Sequence, residues 1–534
     1  MRTLFAVAPV FLFSLGEFSS VSAFLLRGKE KGGGTSRREV SRSSLEMKYT
    51  KENPLKVIIA GGGIGGLTLA NALKSKGVEY TLYERTKEYR EFGGPIQIQS
   101  NALAALEAIN SDLATEVMND GTKTGNRING LKNPFTNKWI AKFDTGSPAV
   151  NRGLPLTRVV DRPLLQGSLL KYTEGKGIKL GVEVEDYELL EDGRVKVMLS
   201  DGTTDEGDIL VGADGIWSKV RAKMTGEMVD DAKPGFGSAT YSGYTVYTGV
   251  CKHRPRDCNE VAYKVYLACN QYFVCSDVGR GRIQWYAFVA QDPDLKLKTD
   301  VRPYLLERYS NWCAEVTDIV SATEEDNIQQ RDLWDRPPKV SGWSRGPVTV
   351  LGDAAHPMMP NLGQGGCQAI EDAYKLAVAA SNVKVPAQIW WELQKYGVER
   401  LLRSAVVQGV SRAASDILIG ETIRLLLTNE IVGTVAGTFM SAVYLPLVFN
   451  FLYQNVLSPE DQAAVLERLV ERDVYNKERT AWEYRTVIEA DKALVEKEGK
   501  WSELDQEAKN AIDNVIAAFQ SDNLKQVEGV GGSA

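Results

Sequence analysis

The distribution of hydrophobic residues separates a short N-terminal apolar run from the rest of the chain. Apolar and small residues fill positions 4–15 after Arg2, and a small-x-small triplet follows at residues 21–23. This layout is typical of a secretory signal peptide, and the run is too short to span a bilayer comfortably. Residues 24–46 are basic and carry several serines, as transit peptides do. We therefore predict a presequence at residues 1–46 that takes no part in the fold.

Behind this segment the pattern changes to that of a β-α-β unit. Residues 55–60 form a short, apolar, β-branched run, which predicts a buried parallel strand. A glycine-rich turn at residues 61–66 follows, then a helical pattern over residues 67–76 and a second strand over residues 80–84. This order predicts the first unit of an α/β domain with a Rossmann-type sheet.

The glycine-rich turn has the spacing of a dinucleotide-binding loop. Gly61 permits the tight turn, Gly63 lets the backbone approach a pyrophosphate, and Gly66 lets the helix pack closely on the strand. The helix N-terminus presents N–H groups to the phosphates. Glu84, at the end of the second strand, is placed to accept hydrogen bonds from a ribose. The sequence predicts a dinucleotide site, although this motif alone does not distinguish FAD from NAD.

Alternating aromatic and β-branched residues mark the middle of the chain. Residues 241–288 show this alternation, which predicts a mixed or antiparallel sheet. Such a sheet can line a pocket for a large apolar molecule, and we name Tyr244, Gln284 and Trp285 as candidate substrate contacts. The alternative is that these side chains belong to the protein core.

The C-terminal third is helical in pattern and contains one long stretch without charge. Residues 371–402 and 459–524 show helical patterns, and no charged residue occurs between Glu430 and Glu460. Three interpretations of the apolar segment 431–457 remain open: monotopic contact with a membrane, a packed helix, or a true span.

Composition excludes several classes of function. The 534 residues carry a net charge of -6 with 25% charged residues, so no basic face for nucleic acid is indicated. Only two histidines occur, and we predict no metal site and no Ser-His-Asp triad; His356 is interpreted as a packed structural residue. The six cysteines include no CxxC pair, which favours free, mostly buried thiols over a regulatory pair among Cys251, Cys258, Cys269 and Cys275.

Three further motifs carry a family resemblance. Residues 208–215 join a strand to an Asp-Gly turn that contains Asp214, and residues 352–366 join a strand to a glycine-containing loop and a helix. Arg162 begins an Arg-x-x-Leu-x-x-x-Leu segment. Together with the first glycine motif, these stretches resemble the aromatic-hydroxylase-like flavoprotein family. The resemblance implies a glutathione-reductase-like FAD-binding domain. It also implies that FAD is the cofactor and that Asp214 and Arg162 serve its binding.

The resemblance also implies roles for the residues of the third motif. It assigns the ribityl chain of FAD to Asp353, and the pyrimidine edge of its ring to the backbone of Gly363, Gln364 and Gly365. A helix N-terminus directed at this edge stabilises negative charge there. Pro360 matches the proline that lines the oxygen-transfer face in this family.

Several longer stretches resemble the zeaxanthin epoxidase family more specifically. They are residues 94–107, 212–221, 241–249, 271–278, 284–288 and 361–372. The resemblance implies that a xanthophyll is epoxidised at a ring double bond through a flavin hydroperoxide, converting zeaxanthin to antheraxanthin and violaxanthin, or diatoxanthin to diadinoxanthin. NADPH, with reduced ferredoxin as an additional electron source, and O2 are the implied co-substrates. No nucleophilic side chain is required, because the cofactor carries the hard step.

The same resemblance implies a location and partners. The Ser22-Ala23-Phe24 triplet resembles the bipartite presequence of algae with a red-lineage secondary plastid, so we expect a thylakoid-associated plastid protein. The expected partners are a carotenoid in lipid, the thylakoid membrane surface and ferredoxin. Plant members carry a forkhead-associated module at the C-terminus, for which residues 459–534 show no pattern. Two enzymatic alternatives stay open: a hydroxylase of a small phenol or quinone, and a non-redox carotenoid cyclase.

These patterns combine into a predicted domain organisation. Residues 54–230 and 347–412 form an FAD-binding domain, and residues 231–346 form an inserted β-sheet domain for the substrate. Residues 413–534 form a C-terminal helical region that contains the apolar segment 431–457.

Overall fold

The computed structural model describes most of the chain behind the predicted presequence. The described residues are 48–89, 94–227, 239–293, 300–338, 342–419, 422–454, 456–474 and 476–479. The predicted presequence at residues 1–46 and the last part of the predicted C-terminal helical region lie outside them.

The strands are numbered in chain order. They are β1 Lys56–Ala60, β2 Glu79–Glu84, β3 Ile96–Ile98, β4 Thr122–Lys123, β5 Ile128–Lys132, β6 Trp139–Phe143, β7 Arg158–Val160, β8 Ile178–Leu180, β9 Val184–Leu189, β10 Val195–Leu199, β11 Thr204–Gly207, β12 Ile209–Gly212, β13 Thr240–Lys252, β14 Val261–Ala268, β15 Gln271–Asp277, β16 Arg282–Ala290, β17 Gln329–Asp335, β18 Ser344–Arg345 and β19 Val348–Val350.

The α-helices are numbered in the same way. They are α1 Ile64–Ser75, α2 Ser100–Ile109, α3 Ser111–Asp120, α4 Ser147–Val150, α5 Arg162–Tyr172, α6 Lys219–Thr225, α7 Val301–Arg308, α8 Ala314–Ser321, α9 Gly365–Asn382, α10 Ile389–Ile419, α11 Thr422–Thr428, α12 Glu430–Phe439, α13 Leu445–Tyr453 and α14 Pro459–Glu471.

A six-stranded sheet organises the first part of the chain. Its order is β18-β19-β12-β1-β2-β8, and all neighbours are parallel except the edge pair β18 and β19. Strand β1 is central and almost fully buried because its residues are apolar and β-branched. The helices α1 and α9 pack closely on each other, since a Cβ at Gly65 of α1 would lie 3.3 Å from the Cβ of Ala369 on α9. Because β1, β12 and β19 are parallel, their carboxyl ends lie at the same edge of the sheet, where ligands of such sheets bind.

A seven-stranded sheet forms the second part, in the order β17-β13-β16-β15-β14-β5-β6. Strands β13 to β16 are antiparallel neighbours, as the alternation of residues 241–288 predicts. The strands β5 and β6 come from residues 128–143, which the sequence pattern placed in the other domain. Because β5 joins β14 by parallel pairing between segments far apart in sequence, local alternation gives no sign of it.

The C-terminal region is helical in the described residues. The helical pattern at residues 371–402 is divided between α9 and α10 by a short break that contains Pro386. The helices α12 and α13 are joined by a π-helical turn at Met440–Tyr444, so residues 430–453 form one continuous helical segment. Residues from Leu469 onward form a separate compact unit, of which only 469–474 and 476–479 are described.

All six cysteines lie within the described ranges and are free thiols. Cys251, Cys275 and Cys367 are buried, and burial raises the pKa of the Cys367 thiol to about 12. A buried, protonated thiol is a poor nucleophile, so these three act as small apolar residues at neutral pH.

Candidate functional site

The turn between β1 and α1 has the geometry that a bound pyrophosphate needs. Gly61 has a φ of +107°, and a Cβ there would lie 2.4 Å from the carbonyl oxygen of Ala213. A Cβ at Gly66 would lie 2.0 Å from the carbonyl oxygen of Gly61. Gly63, by contrast, has open space on its Cβ side and caps the helix without a side-chain hydrogen bond. The first-turn N–H groups of α1 therefore face an open approach, as an anion site requires.

Glu84 lies directly beside this turn. One carboxylate oxygen accepts a hydrogen bond from the N–H of Gly62 at 2.7 Å, and the other accepts one from Thr86 at 2.8 Å. Each oxygen keeps further acceptor capacity. The carboxylate is thus fixed at the end of β2, and its predicted contact with a ribose stays a prediction.

The loop between β19 and α9 carries the second group of predicted cofactor residues. Gly363 has a φ of +61°, which lets the chain turn into α9. A Cβ at Gly363 would lie 2.7 Å from Oε1 of Gln97, and one at Gly365 would lie 3.9 Å from a carboxylate oxygen of Asp353. Pro360 is exposed at the start of this turn. The loop thus brings Asp353, Pro360 and the N-terminus of α9 to one place.

Gln364 lies in this loop, but its side chain points into the protein. It is fully buried, and its Nε2 donates to Oε1 of Gln99 at 2.7 Å. Its Oε1 accepts from Asn101 at 3.0 Å and from Gln368 at 2.9 Å. Only the backbone of Gln364 is therefore available to a cofactor, which is the part that the family resemblance assigns.

Asp353 and Arg162 face each other across a cleft. The side chain of Asp353 is exposed to solvent yet densely surrounded by protein, as a carboxylate at the floor of a cleft is. Burial raises the pKa of Asp353, while the positive charge of Arg162 opposes that shift. Arg162 is exposed at the first turn of α5. The two motifs that were predicted to hold one cofactor are thus electrostatic neighbours.

Asp214 is the remaining predicted cofactor residue. Its Oδ2 accepts a hydrogen bond from the N–H of Val220 at 3.2 Å, near the start of α6. Its Oδ1 is buried without a hydrogen-bond partner among the described residues, and burial raises its pKa. An orphaned carboxylate oxygen carries a free-energy cost that a donor on a ligand would relieve.

A buried ion network lies beneath the cofactor loop. Arg400 donates to Glu371 and to Asp372, both at 2.6 Å, and Arg403 donates to Glu371 at 2.7 Å. Burial alone would raise the pKa of Glu371, but Arg403 and Arg400 outweigh it and lower the pKa to about 2. His356 and Arg400 likewise overcome burial and lower the pKa of Asp372 to about 2. Both acids are therefore ionised at neutral pH.

This network fixes the loop on which Asp353 lies. Asp372 also accepts the backbone N–H of Gly352 at 2.8 Å, and the Nε2 of His356 lies 2.6 Å from Asp372. The ring of His356 packs on Trp343 at 5.4 Å between centroids. His356 is fully buried, which agrees with the structural role predicted for it. Sequence reasoning did not identify Arg400 or Arg403 as part of the site.

Arg403 also connects the network to the apolar helical segment. It donates to three backbone carbonyls at the end of that segment, at 3.2 Å, 2.6 Å and 3.2 Å, those of Phe451, Leu452 and Gln454. Terminal carbonyls of a helix lack intrahelical partners, and a cation is favoured there. The end of α13 is thus bound through one side chain to the helix that follows the cofactor loop.

One face of the seven-stranded sheet is directed at this loop. Tyr244 and Phe288 are buried on it together with Met359, which immediately precedes Pro360. Gln284 lies on the same face, because it alternates with Tyr286 and Phe288, and its Nε2 would lie 2.2 Å from a Cβ at Gly94. Tyr244 and Gln284 thus lie on the face directed at the cofactor loop, and their predicted contact with a substrate stays a prediction.

Trp285 lies on the opposite face of the sheet, which contradicts its prediction as a substrate contact. It is fully buried in the core behind the sheet, where its ring stacks on Phe273 at 5.5 Å and its Nε1 donates to Thr323 at 2.8 Å. Adjacent residues of a strand point to opposite faces, so Gln284 and Trp285 cannot both face a substrate. The side chain of Trp285 therefore points away from the cofactor loop and belongs to the protein core.

The sheet face directed at the loop contains residues that sequence reasoning missed. Tyr272 stacks on Phe288 at 4.2 Å, and its hydroxyl donates to Asn361 of the cofactor loop at 2.6 Å. Tyr263 and Tyr286 share the same apolar cluster. The aromatic alternation was the signal for all three, but it marks both faces of the sheet equally.

The geometry as a whole fits FAD. The glycine turn offers an open anion site at a helix N-terminus, Asp214 has an orphaned oxygen, and Asp353 is accessible at the cleft floor. The N–H groups can donate to phosphate and ring-edge oxygens, and the carboxylates can accept from hydroxyl groups. Within the described part of the chain, no group of three metal-binding side chains is found.

Comparison with protein families gives one match. Residues 54–408 match the family model described as the FAD binding domain. The predicted FAD cofactor and the predicted α/β fold are confirmed at this level.

Comparison with curated proteins gives chloroplastic zeaxanthin epoxidases among the relatives. The chain is 46% identical over 377 residues to a chloroplastic zeaxanthin epoxidase of Oryza sativa subsp. japonica, a match that covers 67% of this chain and 55% of the relative. It is 43% identical over 365 residues to the protein of the same name from Arabidopsis thaliana, covering 66% and 53%. The chain therefore spans about half the length of the curated relatives that it matches.

Comparison with solved structures supports the fold. Klebsiella pneumoniae HpxO, complexed with FAD and uric acid, aligns with a TM-score of 0.64 at 23% identity, covering 75% of this chain and 96% of that one. A salicylate hydroxylase substrate complex aligns with a TM-score of 0.61 at 20% identity, covering 77% and 99%. At this identity the likeness concerns the fold alone.

Proposed function

Because this chain belongs to the FAD binding domain family, we propose that it is a flavoprotein monooxygenase that epoxidises a ring double bond of xanthophylls. The reaction consumes the alkene, O2, NADPH and a proton, and yields the epoxide, NADP+ and water. The proposal extends the name of the relatives, which are 43% and 46% identical in the two cases above, to this chain.

The observation that carries the proposal is an apolar, aromatic sheet face that meets the cofactor loop. Tyr244, Tyr272 and Phe288 pack with Met359, and the partly buried side chains of Leu426 and Leu427 join the same cluster. An apolar wall of this kind suits an end ring of a long hydrocarbon and excludes water from the reacting bond.

The side chains of this chain bind and orient rather than react. FAD, when bound, supplies the electron transfer from NADPH and the activation of O2, which no side chain provides. Arg162 and Asp353 are the side chains that we propose to hold the cofactor, and their electrostatic interaction with each other supports this role. The N-terminus of α9 favours negative charge at the ring edge beside it.

We propose further that the protein acts in a plastid at the surface of a membrane, since both relatives described above are named chloroplastic. The segment Ile431–Tyr453 is 23 residues long and has the length and composition of a membrane span. Its contacts favour a helix lying on the membrane. Phe449 stacks on Phe143 at 5.9 Å, and a Cβ at Gly437 would lie 1.9 Å from the carbonyl oxygen of Ile140.

The opposite side of this helix is an apolar stripe with four-residue spacing. Its members are Ile431, Val435, Phe439, Val443 and Leu447, with Ile431 77% exposed and Val435 65% exposed. The neighbouring strand β6 carries Trp139 and the exposed Lys142, whose Nζ lies 5.6 Å from the ring centroid of that tryptophan. Tryptophan and lysine beside an apolar stripe are typical of a helix lying in the membrane interface.

This surface leads to a prediction for vesicle binding. In flotation with galactolipid vesicles that contain an anionic lipid, the protein is expected to rise with the vesicles. Replacing Ile431, Val435 and Phe439 with serine removes about 3 kcal/mol of apolar contact, so partitioning should fall roughly a hundredfold.

The control replaces three exposed apolar residues outside the stripe, Leu189, Trp390 and Val398, with serine. That variant should float like the unchanged protein. Equal flotation of both triple variants would contradict the docking surface. Retention in the membrane pellet after carbonate extraction would instead favour a true span.

The activity itself is tested with purified protein, FAD, galactolipid vesicles and zeaxanthin or diatoxanthin under labelled dioxygen. NADPH is supplied with and without ferredoxin and its reductase, which identifies the electron donor. We expect one labelled oxygen per epoxidised ring, detected by chromatography and mass spectrometry.

Three outcomes decide between the proposed function and its alternatives. Labelled epoxide supports epoxidation. Unchanged carotenoids together with NADPH oxidation stimulated by small phenols would favour the hydroxylase. Isomerisation of a carotenoid to a cyclised product without O2 consumption would favour the cyclase.

A further inference from the structure

Two tyrosines of the apolar cluster lie on the sheet face directed at the cofactor loop. Tyr263 on β14 and Tyr286 on β16 alternate in phase with the buried residues Val265 and Phe288. Both tyrosines are half-buried against the apolar cluster that contains Met359. Their rings therefore line the same cleft wall as the predicted substrate contact Tyr244.

The hydroxyl groups of these two tyrosines are open to a ligand. Neither phenol oxygen forms a hydrogen bond with any residue in the described ranges, and neither is fully enclosed. Tyr272, on the same face, instead donates to Asn361 at 2.6 Å, and Tyr241 on β13 donates to the carbonyl of Gln291 at 2.8 Å. Hydroxyl groups that are accessible and have no protein partner are free to bind a polar group on a ligand.

Electrostatics place Tyr286 close to the cofactor residues. Burial raises the pKa of Tyr286 to about 12, while Arg162 opposes this shift. Arg162 also acts on Asp353 at the cleft floor. Burial, with a contribution from Tyr286, likewise raises the pKa of Tyr263. Both phenols are therefore protonated at neutral pH, and each can donate and accept a hydrogen bond.

We propose that Tyr263 and Tyr286 bind the hydroxyl group on the end ring of the carotenoid and thereby select hydroxylated rings over unsubstituted ones. This inference rests on the proposed function and adds the basis of its substrate choice. Apolar walls alone discriminate weakly between two rings that differ by one hydroxyl group. A ring hydroxyl without a partner in this cleft would be costly, and an unsubstituted ring would leave both phenols unpaired.

A carotenoid with one hydroxylated and one unsubstituted β-ring, β-cryptoxanthin, tests this within one molecule. The measured quantity is the ratio of epoxide on the hydroxylated ring to epoxide on the other ring, determined by mass spectrometry. We expect the unchanged protein to favour the hydroxylated ring. Each of the variants Tyr263→Phe and Tyr286→Phe should lower the ratio about tenfold, the effect of losing one hydrogen bond of about 1.4 kcal/mol.

The matched control is Tyr266→Phe, which removes a phenol from the same strand as Tyr263. Tyr266 is fully buried on the opposite face of the sheet, where its hydroxyl lies 3.4 Å from Asn137. Its ring ratio should equal that of the unchanged protein. FAD content and thermal unfolding show that all three variants are folded.

A second readout separates recognition from turnover. Quenching of protein fluorescence by zeaxanthin and by β-carotene in matched detergent micelles gives the two dissociation constants. Their ratio should approach one in the double variant. Ring ratios that remain unchanged in both single variants would overturn the hydroxyl site alone. Absence of any carotenoid epoxide with the unchanged protein, together with equal binding of both carotenoids, would overturn the proposed function as well.

Discussion

Replacing Arg400 with methionine is expected to destabilise the protein by about 3–5 kcal/mol, because each of two buried carboxylates loses one of its cationic partners. Arg400 is 1% exposed and donates to Glu371 and Asp372, both at 2.6 Å. In the variant Asp372 keeps only His356 and a backbone N–H, while Glu371 keeps Arg403. Chemical denaturation of the FAD-loaded protein measures the loss.

The same variant should change the response to acid. The pKa values of Glu371 and Asp372 are lowered to about 2, below those of the unfolded chain. Their contribution to stability is therefore present above roughly pH 4 and is lost as the pH falls toward 2. Without Arg400 burial raises both pKa values, so acid unfolding should begin at a higher pH.

Arg194 provides the control for this prediction. It also bridges two acids, Asp192 at 2.7 Å and Glu206 at 3.0 Å, but it is 41% exposed. Arg194→Met should cost less than about 1 kcal/mol, since solvent screens exposed ion pairs. Equal losses from the two substitutions would show that the buried network does not stabilise the loop as argued.

The second large effect is expected from substitutions at two glycines of the first turn. One should lower the stability of the apoprotein, and the other should weaken FAD binding alone. In Gly66→Ala the new Cβ would lie 2.0 Å from a backbone oxygen that cannot move without displacing the turn. We expect a loss of about 3 kcal/mol in the stability of the apoprotein and no retained FAD. In Gly63→Ala the Cβ meets nothing, and the φ of -69° is allowed for alanine.

Gly63→Ala should therefore change the stability of the apoprotein by less than about 0.5 kcal/mol. It should weaken FAD binding roughly a hundredfold, because the methyl group occupies the space through which the pyrophosphate approaches. Thermal unfolding of the apoprotein and titration with FAD measure the two effects separately. A Gly63→Ala variant that binds FAD normally would contradict the assignment of this turn to the pyrophosphate.

The cofactor motifs were predictable from the sequence because their spacing is local. Gly61, Gly66 and Gly363 each stand where a close approach or a positive φ excludes other residues, and such requirements appear directly in the order of residues. Asp353 was predictable in the same way, because it follows strand β19 closely in the sequence. The structure places Asp353 within electrostatic reach of Arg162, which the sequence suggested only through family resemblance.

The substrate wall was predictable only in part. Alternation identified the sheet but not which face meets the cofactor, so it did not show that Gln284 lies on that face and Trp285 on the opposite one. The same limit hid Tyr263 and Tyr286. Arg400 escaped detection for another reason, since its partners Glu371 and Asp372 lie on a different helix and no local pattern pairs them.

The contacts of Arg403 bear on how the protein can be divided. The family match ends at residue 408, in the middle of α10, which suggests a convenient place to truncate. Yet Arg403 lies before that point, and its carbonyl acceptors, those of Phe451, Leu452 and Gln454, lie well after it. A fragment cut at residue 408 would keep Arg403 and lose these acceptors. A truncated protein that keeps these contacts must therefore include the apolar helix. Removing that helix to gain solubility would loosen the cofactor loop.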